Sequence, residues 1–359
     1  MSDQIQLAEA RLADGDPALF DQLLRRLTLT PGRENIRQAL RMVSSRPPSD
    51  PRTRKWIRHT ASLLASGQTP EDLAPVFTDG DGRADRTQTT LELRACLIHE
   101  MVLRSVDVTA LPEITAWTRS PQWAHHRLSA LPLTVSPVEE KRVLPTYGVS
   151  GAAGAPVPHG PPIAPGAPSP HDPAAITAAP SETTTPERAE AMSAAVANWA
   201  EESNGRIEAR AFELAAPLAA PLTAGSPLTA HSAVPGVLAA LGLECLEGLD
   251  TPGPRLSVAA GTPAEAWQTL FAAASTGAAY NDGHQGAWGR LAAWRSMGAM
   301  AGVAEDAPFG ETEARVLECA WFRFSSDARW FDFIAWDLGL LAAGPDRRSL
   351  AVLAATDTD

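Results

Sequence analysis

The chain has 359 residues, 44% of them hydrophobic, which is enough for two domains with real cores. Its formal net charge of −12 is uneven: residues 1–145 hold 19 Lys+Arg against 18 Asp+Glu, and the remainder holds 11 against 24. The acidic second half repels nucleic acid and anionic membrane, while the three separated cysteines, Cys96, Cys245 and Cys319, argue against a disulfide framework or zinc site and fit reduced thiols in the cytosol.

Taken in order, residues 3–28 predict a helix, a break at Gly15-Asp16-Pro17 and a second helix burying Leu19, Phe20, Leu23, Leu24 and Leu27. Asp16 is placed as N-cap, with Pro17 at the first helical position. Further helices are expected over Glu34–Ser44, Thr53–Ser66, from Thr69-Pro70-Glu71-Asp72, and over Thr87–Val106. Such helices with short connections make a helical array, although no fixed repeat period is present. Between Arg25 and Arg58 stand ten basic residues against Glu34 and Asp50. That stretch reads either as a solvated helix surface or as a docking face for an acidic partner. No aromatic residue interleaves with its arginines before Trp56, so base stacking is poorly supported. Asp79-Gly80-Asp81-Gly82 looks calcium-like, but Phe77 and Gln88 stand where an EF-hand loop needs acids, so it reads as a polar turn.

From Leu111, prolines punctuate the chain, and Tyr147–Pro186 is almost wholly Pro, Ala, Gly, Ser and Thr. It reads as a linker or surface excursion. Helix resumes at Thr185-Pro186-Glu187, followed by a strand in Arg206–Leu214 with Arg206, Glu208 and Arg210 toward water. Leu214–Leu243 lacks charge but holds four prolines, which excludes a membrane span. A helix over Val234–Leu246, a strand over Arg255–Ala260 and a helix opened by Thr262-Pro263-Ala264-Glu265 come next.

The helix after Gly286 carries Trp288, Leu291, Trp294, Met297 and Met300 three apart, with small residues between them. Three-residue steps wrap around a helix, so it should be buried on all sides, and its charges Arg290 and Arg295 then need partners. Asp332 and Asp337 are the expected ones. Val316–Phe324, Trp330–Leu341 and Ser349–Ala355 predict three strands, the last two joined at Gly344-Pro345-Asp346. The expected fold is therefore α+β, with an N-terminal helical region (1–145), a Pro/Ala/Gly-rich segment (146–186) and a C-terminal domain (187–359). The last holds a mostly antiparallel sheet of about five strands packed on helices.

Four stretches, SNGRIEARAFEL (203–214), GAWGRLAAWRS (286–296), WFDFIAWDLGLL (330–341) and SLAVLAATDTD (349–359), resemble an uncharacterised actinobacterial family, a domain of unknown function. The resemblance implies no activity, so no catalytic residue is carried over from it.

The loop from Tyr280 to Arg290 holds the one constellation with chemistry in it. His284 can act as a base, Asp282 can orient it, Asp337 is a third catalytic candidate, and Tyr280, Asn281, Arg290 and Arg295 are candidate ligand-binding residues. A helix N-terminus at Gly286 can receive an anion. Against catalysis, there is no nucleophile elbow, phosphate loop, dinucleotide fingerprint or metal-histidine pair. No metal or other cofactor is expected, and nothing fixes the oligomeric state. The preferred expectation is a non-enzymatic cytosolic scaffold, regulator or immunity-type protein that binds a protein partner. The other is a small-molecule enzyme or ligand-binding protein using the Tyr280–Arg290 loop.

Overall fold

The structure, a computed structural model, describes residues 2–13, 17–44, 51–78, 88–145, 180–201, 203–218, 233–248, 255–279, 283–331 and 336–357. It divides into two compact units. The first comprises residues 1–135, 147–152 and 284–288; the second comprises 136–146, 153–283 and 289–359.

The first unit is helical: α1 Ser2–Ala13, α2 Ala18–Leu29, α3 Arg33–Ser44, α4 Pro51–Gly67, α5 Pro70–Leu73, α6 Gln88–Leu103, α7 Pro112–Trp117 and α8 Pro121–Ala124. Phe20, Leu24, Leu27, Met42, Trp56 and Leu64 are almost wholly buried and form much of its core. Gln68 fixes the α2–α3 turn from the end of α4: its amide nitrogen donates to the carbonyls of Thr28 and Thr30. Gly67 lets that turn approach, since a Cβ there would sit 2.6 Å from the Thr28 carbonyl oxygen. Pro112 and Pro121, together with Pro137 of a 3-10 turn in the second unit, open short helical segments. The missing N–H of proline costs nothing at a helix start, so these prolines begin turns rather than break them. Pro17 occupies the N-cap position of α2, one residue before the expected place; Asp16 and the Asp79 turn lie outside the described residues.

In the second unit the helices are α9 Pro186–Ser193, α10 Ala197–Glu201, α11 Ala233–Ala240, α12 Pro263–Thr276, α13 Gln285–Met300 from Gly289 onward, and α14 Phe309–Glu318. Thr262 and Glu265 form a full capping box at α12. Among the described residues the sheet has six strands, β1 Ser181–Glu182, β2 Arg206–Glu213, β3 Leu256–Gly261, β4 Ala320–Ser326, β5 Trp336–Ala343 and β6 Ser349–Asp357, in the order β1-β2-β6-β5-β4-β3. All its pairings are antiparallel. The two-residue β1 is the strand beyond the five expected, and Val316–Glu318 ends α14 instead of starting β4. In the hairpin, Asp346 accepts the backbone N–H groups of Arg348 and Ser349, as a turn aspartate should.

Both faces of the sheet are covered. Phe212, Phe322, Phe324, Leu341 and Val352 join Val237 and Leu238 of α11 in one cluster. The alternate residues Leu338, Leu340, Leu353 and Ala355 are buried too, and α12 packs against β4. One expectation fails on β2, where Glu208 is buried instead of facing water. Its carboxylate accepts the backbone N–H groups of Glu244 and Cys245 at 2.9 and 2.8 Å, capping a 3-10 turn.

Candidate functional site

The segment His284–Trp288 opens α13, and its surroundings within the first unit come from α4, α6 and the turns after α8. Glu92, one turn before Cys96 on α6, is the hub. Its carboxylate accepts from the Trp288 indole Nε1 at 2.6 Å and from His126 Nε2 at 3.0 Å. His126 Nδ1 accepts the Leu128 backbone N–H at 3.2 Å, which places the ring proton on Nε2. Both ring nitrogens are therefore engaged. Burial works to raise the Glu92 carboxyl, but the hydrogen bonds from His126 and Trp288, with the charge of Arg58, hold it below the usual glutamate range. Burial, reinforced by Glu92, pushes the Cys96 thiol well above its ordinary value, so it is no nucleophile.

His284 lies beside Arg58, whose Nη1 faces its Nδ1 at 3.4 Å. Arginine can only donate, so Nδ1 accepts and Nε2 carries the proton. Burial and then the Arg58 charge lower the His284 pKa to about 4. At neutral pH the side chain is an N–H donor and a weak base, which runs against the expected role of general base.

The other anion positions foreseen around this loop are filled by the chain itself. Glu100 accepts the Ala287 backbone N–H at 3.2 Å, at the N-terminus of α13, and the Arg104 guanidinium at 2.7 Å. Gly286 permits this approach: a Cβ there would lie 2.7 Å from the carboxylate. In the second unit, Arg290 is fully buried and meets Glu139 through two N–H···O bonds of 2.6 and 2.7 Å. Trp294 Nε1 and the Ser136 backbone N–H also donate to Glu139, at 2.7 and 2.9 Å. Arg295 pairs with Glu305 at 2.5 Å. The acids that meet Arg290 and Arg295 are thus Glu139 and Glu305, in place of the expected Asp337 and Asp332. Asp337 is buried in β5 of the second unit, whereas Tyr280, Asn281, Asp282 and Asp332 lie outside the described residues. Among the described residues, no group of three or more His, Cys, Asp and Glu is placed to hold a metal ion.

A model of a family of unknown function, DUF6183, matches residues 4–359. The chain belongs to that family. No curated protein and no solved structure matches it. Membership in DUF6183 brings a shared fold without an assigned chemistry, so the roles of these residues rest on their geometry.

The residues missed by the reading of the loop are Arg58, Glu92, His126 and Glu100. For Glu92 and Glu100 a signal is present: a Glu92–Cys96–Glu100 row at four-residue spacing on a helix otherwise rich in apolar residues. What each acid meets could not be seen, because Trp288 and Ala287 are 196 and 187 residues away in sequence.

The lowered His284 pKa has a measurable consequence. In a proton NMR titration His284 should stay neutral through pH 6 and titrate near 4. Because its folded pKa lies below its unfolded value of about 6.5, the His284 contribution to folding stability falls as pH drops from about 6.5 to about 4 and does not change below that. A midpoint at or above 6.5 would show that Arg58 and burial do not act on it.

Proposed function

We propose that this chain is a non-enzymatic binding protein, a cytosolic scaffold or regulator, which docks an acidic protein partner through an arginine face on its first unit. One observation carries the reading. Arg33, Arg37 and Arg41 stand four apart on α3, so they form one row, while Ile36, Ala39, Met42 and Val43 are buried on the opposite side. The Arg33 and Arg37 side chains are 61% and 64% exposed. Their ion pairs to Asp72 (3.6 Å) and Glu34 (3.4 Å) are of the exposed kind that contributes roughly 0–1 kcal/mol, and a partner's carboxylates can replace them. Arg52 and Arg54 add exposed charge at the start of α4. An array of exposed arginines raises association rates with an oppositely charged surface and supplies bidentate contacts to its carboxylates.

Other features fit this reading. The three cysteines are free and buried, in keeping with a reducing compartment. Among the described residues, no helix is long and apolar enough to cross a membrane. Catalysis at the Tyr280–Arg290 loop has less support, because Arg290 is taken up by Glu139 and His284 is a poor base.

The test is a titration of the full chain with poly-glutamate as the acidic polypeptide probe. Wild type should bind, and binding should weaken as salt rises. The charge-reversed variant Arg33→Glu/Arg37→Glu/Arg41→Glu should lose at least about tenfold in affinity, with an unchanged melting temperature because the side chains are exposed. Equal binding by the variant, or none by wild type at low salt, would remove the reading.

A further inference from the structure

Within the first unit, the surroundings of Trp288 hold more positive charge than the neighbouring Glu92 can serve. Arg58 lies over the Trp288 ring at 4.9 Å and Arg127 over the same ring at 5.8 Å. Glu92 cannot turn fully to either without releasing the N–H groups of His126 and Trp288, which would then be unpaired. The result shows in the Arg58 guanidinium. Its Nε is buried and makes no hydrogen bond, and the nearest Glu92 oxygen is 4.0 Å away, beyond hydrogen-bond reach. Its Nη1 meets only the edge of a neutral imidazole. Burial, reinforced by the like charge of Arg54, draws Arg58 below the usual arginine range. A largely buried cation, its side chain 17% exposed, with an incomplete set of acceptors is costly unless something else supplies the anion.

A second, independent observation lies next to His284. Gln285 adopts φ +62°, a left-handed conformation that costs a residue with a side chain, and it is only 3% exposed. Its Oε1 is buried without a hydrogen-bond partner. A strained segment with an unsatisfied buried acceptor calls for a donor, which a ligand's hydroxyl or the O–H of a protonated phosphate supplies.

We propose that Arg58 and His284 form an oxyanion-binding site, taking a carboxylate or phosphate group of a small ligand, with Arg127 adding charge at its edge. Arg58 offers the planar donor fork suited to such groups. His284 offers its Nε2–H, held in that tautomer because Nδ1 faces Arg58. Trp288 positions Arg58 by lying against it and anchoring to Glu92. The site does not depend on the α3 arginine row and stands or falls separately from it.

Calorimetric titration of the full chain with inorganic phosphate, and separately with sodium acetate, tests it. Wild type should bind at least one of them saturably. Arg58→Gln should weaken that binding about tenfold or more, since a hydrogen bond to a charged group is lost. Arg127→Gln, an exposed position that should leave the fold intact, should weaken it by a smaller factor, and the exposed Arg119→Gln should not change it. Binding of phosphate alone would identify a phosphoryl ligand; binding of both would show that a carboxylate suffices. The proposal is overturned if neither anion binds saturably, or if affinity is the same in Arg58→Gln and Arg127→Gln as in wild type. If Arg58→Gln does not fold, unchanged affinity in both Arg127→Gln and His284→Gln overturns it equally.

Discussion

Replacing Glu139 by alanine should destabilise the second unit by about 3–5 kcal/mol, among the largest single-site effects in the chain. Neither Glu139 nor Arg290 is exposed, and the carboxylate is the shared acceptor for the Arg290 fork, the Trp294 indole and the Ser136 backbone. Removing it takes the bidentate carboxylate from a buried guanidinium and one hydrogen bond from each of two further donors. The energy reflects a buried charge that has lost its carboxylate more than the worth of the pair, because attraction between buried ions is largely offset by their desolvation. The double variant Glu139→Met/Arg290→Met should therefore recover a good part of the loss, although Trp294 still lacks its acceptor. Urea unfolding of the two variants separates the cases. A loss below about 1 kcal/mol for Glu139→Ala would mean that water reaches Arg290.

The second large effect is expected at Glu100. This residue is 1% exposed, yet it holds Arg104 and the Ala287 N–H at the start of α13. Its negative charge lies at the positive end of the helix, a favourable placement; alanine there removes the acceptor of the Ala287 N–H and leaves Arg104 with only the residue-100 carbonyl and Ser62 Oγ, without its countercharge. Glu100→Ala should cost about 2–4 kcal/mol. Gly286→Ala should produce a milder form of the same defect, because its Cβ intrudes on the carboxylate from 2.7 Å away. Hydrogen exchange read at residues 285–289 should accelerate in both variants. Unchanged exchange there would show that the helix start does not need its internal anion.

These two pairings show how far the sequence could be read. Local patterns carried well: the Thr262–Glu265 capping box, the Gly344–Asp346 turn and the buried helix after Gly286 all follow from neighbours within one or two turns. The β4–β6 meander is legible from its apolar runs except at the start of β5, which begins at Trp336 and not Trp330, and α14 is not, since its last residues run into aromatic strand sequence. Charge partners could not be inferred. Arg290 was rightly predicted to need an acid, but Glu139 lies 151 residues earlier, in a proline-marked stretch that looked like connecting chain. Nothing in spacing or propensity distinguishes Glu139 from Asp337 as the acid that meets it; only the packed chain does so. The same limit hides Arg58 and Glu92, which meet the loop from distant parts of the sequence.

Arg290 and Arg295 of the loop and the helix after it pair with acids of the chain itself, whereas the α3 arginines form an exposed row. Hydrogen–deuterium exchange of the full chain, with and without poly-glutamate at low salt, tests this most directly. Slowed exchange should concentrate on residues 33–44 and 51–55, with residues 289–300 unchanged. Protection confined to other surfaces, or none at all while the polypeptide is bound, would contradict the assignment of the α3 arginine row as the docking face.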